Sequence, residues 1–102
     1  MVHTIAHIEP DELIRKFYTD WLGKSDIAVE SFDTATSALE AITQREFKII
    51  VLEINLPLGS GFDSEDIPSY AKIDPDSRYG ELGIHLIKKV REPGSPNRRT
   101  PV

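Results

Sequence analysis

Apolar residues in this chain fall into short runs that alternate with segments of helical periodicity. The clearest run lies in residues 48–52, KIIVL, where four consecutive apolar residues follow a lysine. Such a run is typical of a strand buried on both faces at the centre of a parallel sheet. The run stops at Glu53, and Pro57 then ends any strand ladder. Because ligands of open α/β sheets gather at the carboxyl ends of strands, we expect chemistry near Glu53.

One strand and one helix are predicted before that run, over residues 2–23. Residues 2–8 form the strand, Asp11 is placed to cap the helix, and Gly23 is a natural residue just beyond its end. Apolar residues recur in this helix at helical spacing, and we assign Phe17 and Trp21 to the core. The full stripe consists of Leu13, Ile14, Phe17, Trp21 and Leu22.

A second strand and a second helix complete the alternation. The strand covers residues 27–32, and Asp33 or Thr34 can cap a helix that continues to about residue 45. Its buried stripe is predicted to consist of Ala35, Ala38, Leu39 and Ile42. Strand–helix alternation implies right-handed crossovers and a parallel sheet. We therefore predict an α/β fold with strand order 2-1-3 and helices on both faces of the sheet. The third strand is predicted to be central, and strands one and three are predicted to pair in parallel.

Residues 58–82 change the character of the chain. Between Phe62 and Leu82 there are six acidic and two basic residues, a net charge of −4, with two tyrosines interleaved. Loops longer than about 15 residues in a compact domain are usually functional or disordered. We predict that this acidic insertion packs over the Glu53 end of the sheet and contacts a basic partner, although a merely tolerated insertion is the alternative. The predicted contact residues are Asp63, Glu65, Asp66, Tyr70, Asp74, Asp76 and Tyr79.

Helical periodicity returns after the insertion. The last predicted helix has its apolar positions at Leu82, Leu86, Ile87 and Val90, with cations in its final turns. Residues 92–102 are interpreted as a flexible connector to a would-be fourth strand, with the Arg98-Arg99 pair in solvent. Without a fourth strand, the third would present an open edge. We expect a homodimer, strand exchange, or coverage of that edge by residues 100–102.

Composition limits the function classes. The chain has 102 residues, 39% of them hydrophobic and 28% charged, which fits a single globular domain over residues 1–102. A net charge of −5 argues against nucleic acid or an anionic membrane as a partner. The absence of cysteine excludes disulfides and thiolate metal sites. No apolar run approaches the length of a membrane span and no signal-peptide pattern is visible, so we expect a cytoplasmic location.

Three segments resemble one known family. They are residues 8–17, IEPDELIRKF, residues 53–57, EINLP, followed by Gly61, and residues 83–91, GIHLIKKVR. Together with the order of elements, they are similar to the receiver domain of two-component response regulators. The resemblance implies an incomplete flavodoxin-like sheet, with Glu53 at the position where receivers carry a phosphate-accepting aspartate. It also places Asn55 where a backbone carbonyl binds Mg²⁺, and Pro57 two residues later.

The departures from the receiver pattern concern the chemistry. Glu53 carries an extra methylene that moves its carboxylate outward by roughly 1.5 Å, one C–C bond length. Displacements near 1 Å can cost about a hundredfold in a reaction that depends on positioning. Glu9 fills the first place of the family's acid pair, but Pro10 fills the second and offers no oxygen to Mg²⁺. The strands that would carry the family's Ser/Thr and Lys are not present in this sequence.

Each of these residues also has a purely structural interpretation. Glu53 is either a solvated carboxylate or a fixed charge that mimics a phosphorylated state. Glu9 facing Glu53 would form a like-charge pair that raises a pKa and invites a cation. Glu9, Glu53 and Asn55 are weak candidates for a metal site, and Asp11 is the fourth member of the acidic pocket. His7, in an apolar strand, is interpreted as a core histidine with its hydrogen bonds satisfied.

Two function classes follow from the resemblance. In the first, the chain is a pseudo-receiver that binds a histidine kinase, an output domain or another regulator without being phosphorylated, and it is not an enzyme. In the second, it is a phosphorylatable or Mg²⁺-dependent receiver that uses Glu9, Glu53 and Asn55. The lost acid and the missing lysine favour the first class, with no cofactor required.

Overall fold

The computed structural model describes residues 3–59 and 79–102, and it contains the predicted alternation of strands and helices. No helix in these two ranges is long and apolar enough to span a membrane. In chain order the elements are β1 Thr4–Ile8, α1 Glu12–Gly23, β2 Ala28–Phe32, α2 Ala35–Gln44, β3 Ile49–Leu52, β4 Leu56–Pro57, β5 Tyr79–Gly80 and α3 Leu82–Val90.

The main sheet is parallel, with strand order β2-β1-β3, as predicted. Ile5 of β1 is in register with Val29 on one side and with Ile49 on the other. The α/β fold is therefore confirmed, and it is consistent with an incomplete flavodoxin-like sheet. One detail was wrong, because β1 and not β3 is the central strand of these three.

The core lies on one face of the sheet, where α2 and α3 pack. Ala6, Ile8 and Ile50, at even-numbered positions of β1 and β3, point to this face and are fully buried. In α2 the buried stripe is as predicted except that Ala41 is buried while Leu39 is only partly covered. The remaining core residues are Ala35, Ala38, Ile42, Phe47, Leu56, Leu58, Leu82, Leu86 and Val90.

Helix α1 lies on the opposite face and has no buried residue. Phe17 and Trp21 are 65% and 59% exposed, so their assignment to the core was wrong. The helix contacts the sheet through its other side, where the Tyr18 ring lies 4.7 Å from the His7 ring and Thr19 contacts Ser31. This orientation turns the apolar stripe of α1 to solvent.

Strand β3 is consequently covered on one face only. Ile50 is buried against α2 and α3, whereas Val51, which points to the α1 side, is 39% exposed. The prediction of two-sided burial was therefore wrong for this strand. A continuous apolar run shows that both faces are apolar, but it does not say whether a helix covers each of them.

The helix starts are as predicted, but the end of α1 is not. The Asp11 carboxylate accepts hydrogen bonds from the N–H groups of Leu13 at 2.9 Å and Ile14 at 3.2 Å. Thr34 caps α2. Gly23 lies inside α1, and the left-handed residue of the following turn is Asp26, with φ of 57°. Aspartate tolerates this conformation better than most residues, so the turn does not need glycine.

The ends of the acidic insertion form a small antiparallel ribbon. Leu56 pairs with Gly80 and Pro57 with Tyr79, so Pro57 ends this second ladder rather than β3. Because proline has no N–H to donate, it is suited to the last position of a ladder.

The C-terminal segment is anchored rather than loosely attached. The fully buried Asn97 side chain donates to the carbonyls of Ile42 at 2.7 Å and Arg45 at 2.6 Å, and accepts from the N–H of Phe47 at 2.7 Å. The carbonyl of Pro101 accepts a hydrogen bond from the N–H of Ile50 at 2.9 Å. The predicted flexible connector thus packs against α2, and its end covers part of the β3 edge.

Candidate functional site

Two acidic residues meet at the carboxyl end of the sheet. Glu9 directly follows β1 and Glu53 directly follows β3, and these two strands are neighbours. The N–H of Glu53 donates to the carbonyl of Ile8 at 2.9 Å, which holds the two strand ends together. The charge on Glu53 helps to raise the pKa of Glu9. The two acids therefore lie near enough for their charges to interact.

The Glu53 carboxylate turns back over its own chain. Its Oε1 atom accepts hydrogen bonds from the N–H groups of Ile54, at 3.1 Å, and Asn55, at 3.4 Å. The glutamate side chain is long enough to reach the N–H groups of the turn that follows the strand. These bonds stabilise the turn and occupy one oxygen of the carboxylate.

Glu9 is a buried carboxyl group with an unsatisfied oxygen. The residue is 8% exposed, and its Oε2 has no hydrogen-bond partner among the described residues. Burial raises the pKa of this carboxyl, and the charges of Glu53 and Asp11 raise it further, while Arg15 opposes them. The Arg15 guanidinium donates to the backbone carbonyl of Glu9 at 2.8 Å. Unpaired buried polar atoms are uncommon in native proteins and call for an explanation.

His7 lies beside Glu9 and has a similar deficit. It is 4% exposed, as predicted for a core histidine, but its Nδ1 has no hydrogen-bond partner in the described part of the chain. The prediction that the hydrogen bonds of His7 are satisfied was therefore wrong for its Nδ1 atom. Burial lowers the pKa of His7, and the nearby Arg15 charge lowers it further. Both effects favour the neutral ring, which can accept a hydrogen bond.

His7, Glu9 and Glu53 line one cavity of about 150 Å³ on the α1 side of the sheet. Its other lining residues are Ile8, Ile14, Tyr18, Val51 and Leu52. The sequence interpretation included Glu9 and Glu53 in a pocket but missed His7 and Tyr18. A usable signal was present, since residues two apart on a strand point to the same face.

The remaining predicted site residues have separate places. Asp11 is occupied as the cap of α1, and it acts on the cavity through its charge. Asn55 is exposed in the turn after Glu53. Tyr79 lies in β5. The other predicted contact residues, Asp63, Glu65, Asp66, Tyr70, Asp74 and Asp76, fall outside the described ranges, as does the predicted packing of the insertion over Glu53.

The described donors at this end of the sheet do not fit the Mg²⁺ that the resemblance to receivers implies. Mg²⁺ requires near-octahedral oxygen ligation. Glu53 has one oxygen engaged by its own turn, and Pro10 supplies no side-chain donor. His7, which also lines the cavity, offers nitrogen rather than oxygen. Within residues 3–59 and 79–102, no three acidic or histidine side chains are grouped as metal ligands.

Helix α3 begins directly against the Glu53 turn. The N–H of Gly83 donates to the carbonyl of Ile54 at 2.8 Å. A Cβ atom at Gly83 would lie 2.6 Å from the Ile54 Cα and 2.7 Å from the Glu53 carbonyl oxygen. Only glycine permits this approach, so the first turn of α3 fixes the position of the turn that carries Glu53.

In comparisons with family models, curated proteins and solved structures, nothing matched this chain.

Proposed function

We propose that this protein is a signalling module of the pseudo-receiver type, which binds a protein partner without being phosphorylated. The parallel β2-β1-β3 sheet and the acidic residues at its carboxyl end support this proposal. The close approach of Gly83 to Glu53 and Ile54 also supports it. Gly83 stands at the start of the helix packed on the proposed phosphoacceptor turn, and it is one of the two glycines, with Gly61, that could match the glycine of the receiver pattern.

The observation that carries the proposal is the state of Glu53. Its Oε1 accepts two backbone hydrogen bonds, so this oxygen is directed into its own turn. Phosphoryl transfer depends on an in-line nucleophile and on metal ions that neutralise developing charge. A Glu53 oxygen that is held by its own turn, and a proline without a side-chain oxygen at position 10, argue against both requirements.

The proposed partners are a histidine kinase, an output domain or another regulator. A non-phosphorylated module of this kind signals through the surface it presents, so its affinity for a partner does not depend on a phosphodonor. The competing function is a phosphorylatable or Mg²⁺-dependent receiver that uses Glu9, Glu53 and Asn55.

Incubation with phosphoramidate and Mg²⁺, followed by intact-mass measurement, separates the two functions. We expect the wild-type mass to remain unchanged while a phosphorylatable receiver treated in parallel gains a phosphoryl group. Glu53→Gln is the matched variant, because it keeps an oxygen for the backbone bonds but removes the nucleophile. A phosphoryl adduct on the wild type that is absent from Glu53→Gln would overturn the proposal.

A further inference from the structure

Two unpaired buried polar atoms line one cavity. They are His7 Nδ1 and Glu9 Oε2, and the Glu53 carboxylate lies in the same lining. A neutral imidazole nitrogen can accept a hydrogen bond, and a carboxylate oxygen only accepts. A buried polar group without a partner destabilises the folded chain, so a ligand that supplies the missing bond is favoured. Glu9 Oε2 therefore needs a donor when the carboxyl is ionised, and His7 Nδ1 needs one in the tautomer that carries its proton on Nε2.

The electrostatic environment of the cavity favours a cation. Glu53 and Asp11 both act on Glu9 as negative charges, and Arg15 is the opposing positive charge. The Arg15 side chain donates to the backbone carbonyl of Glu9 and makes no hydrogen bond to the unpaired carboxylate oxygen Oε2. A group that brings positive charge and several N–H donors would satisfy the unpaired atoms and offset the repulsion between the acids.

The cavity continues into an exposed apolar surface. Ile14 and Val51 line the cavity and are themselves 42% and 39% exposed. Beyond them on α1 lie Leu13, Phe17 and Trp21, which are exposed to a greater extent. We name these five residues the α1 apolar surface. Aromatic residues grouped on a surface are characteristic of protein interfaces.

We propose that this face binds a segment of a partner protein that inserts an arginine or lysine side chain between His7, Glu9 and Glu53 and packs apolar residues on the α1 apolar surface. The inference deepens the proposed function, since it identifies the chemistry of the partner that the signalling module would recognise.

The size of the cavity agrees with a side-chain end. Its volume of about 150 Å³ is several times the ~30 Å³ that one water molecule occupies in the liquid. A guanidinium group has five N–H donors in a planar fork, which suits acceptors on several sides. The inserted side chain supplies the orientation, and the surrounding apolar contacts supply much of the affinity.

The first experiment tests the cavity with small probes. The full chain, labelled for NMR, is titrated with butylguanidinium and, in parallel, with the neutral isostere butylurea. We expect saturable shifts at His7, Glu9 and Tyr18 with the cation, and binding of butylurea at least about tenfold weaker, because a buried charge partner is lost. Glu9→Gln should lower the affinity for butylguanidinium about tenfold. Glu40→Gln, an exposed carboxylate on α2, is the matched control and should change nothing.

The second experiment tests the apolar surface. The probe is a synthetic amphipathic peptide with one central arginine flanked by leucines, and its control carries citrulline in place of arginine. We expect the arginine peptide to bind at least about tenfold more tightly than butylguanidinium, because the leucines pack on α1. The double variant Phe17→Ser/Trp21→Ser should remove that gain while leaving butylguanidinium binding unchanged. Both side chains are exposed, so the variant should fold.

Three results would overturn the inference. Equal binding of the charged and neutral probes would show that the cavity does not select a cation. Equal binding of the peptide to wild type and to the Phe17/Trp21 variant would show that the α1 apolar surface does not contact the peptide. Sedimentation equilibrium that finds a wild-type dimer, lost in the same variant, would assign the face to a second copy of the chain. The proposed function fails separately, by phosphorylation of Glu53, and that result leaves the probe titrations unaffected.

Discussion

The Glu53 carboxylate accepts a hydrogen bond from the backbone N–H of Ile54 at 3.1 Å. The same side chain acts by its charge on Glu9 across the strand ends. Glu53 therefore has a local role in its turn and an electrostatic role in the cavity. The two roles can be separated by substitution, since an amide keeps the hydrogen-bond acceptor but loses the charge.

We predict that Glu53→Gln lowers the pKa of Glu9 towards its ordinary value. The charge on Glu53 is the second largest cause of the raised pKa of Glu9, after burial, so its removal should leave only a part of the shift. The measurement is an NMR titration of the Glu9 side-chain carboxyl carbon. Glu53→Asp, which retains the charge, should lower the pKa less. An identical titration in wild type and Glu53→Gln would mean that the two carboxylates do not interact.

We predict that Glu9→Gln gains stability relative to wild type as pH rises from acidic to neutral. In the folded chain the pKa of Glu9 is raised above its ordinary value of 4.5, so folding favours the protonated carboxyl. The contribution of Glu9 to stability is thus fully present below pH 4.5 and is lost as pH rises through the folded pKa. Glutamine does not titrate and removes this loss.

Urea unfolding at acidic and neutral pH measures this effect. The free energy of unfolding of Glu9→Gln, relative to wild type, should increase with pH over that interval. A relative stability of Glu9→Gln that falls with rising pH would contradict the raised pKa.

The order of the fold could be predicted because apolar periodicity is a local signal. Alternating strand and helix patterns, with Asp11 and Thr34 as helix caps, were sufficient for a parallel sheet of order 2-1-3. Whether another element covers a given face of a helix or of the sheet was less predictable. The stripe that contains Phe17 and Trp21 shows which residues share one side of α1, but not whether another element packs there.

The site was predicted in part for the same physical reason. Glu9 and Glu53 could be placed together because strand ends in a parallel sheet share one edge. Neither the backward turn of the Glu53 carboxylate nor the unpaired nitrogen of His7 follows from spacing, because both depend on side-chain orientation. Asn97 was missed because a lone asparagine among proline and glycine is typical of a turn, whereas its partners here lie about fifty residues away.

We predict that Asn97→Ala destabilises the protein by about 3 kcal/mol, because it leaves several buried backbone groups without partners. The groups concerned are the N–H of Phe47 and the carbonyls of Ile42 and Arg45. Urea unfolding followed by circular dichroism measures the change. Asn55→Ala, at an exposed asparagine, is the control and should stay within about 0.5 kcal/mol of wild type. Equal stability of the two variants would refute the anchoring role of Asn97.

The last prediction compares two glycines, both in helices. Gly83→Ala should destabilise the protein by about 2 kcal/mol, because the added Cβ meets the backbone of Glu53 and Ile54 rather than a movable side chain. Gly23→Ala, in α1, should stabilise it by about 0.5–1 kcal/mol, since no atom lies within 4 Å of the added Cβ and alanine favours the helix. Thermal unfolding of both variants tests the opposite signs. If Gly83→Ala were as stable as wild type, the first turn of α3 would not press on the Glu53 turn.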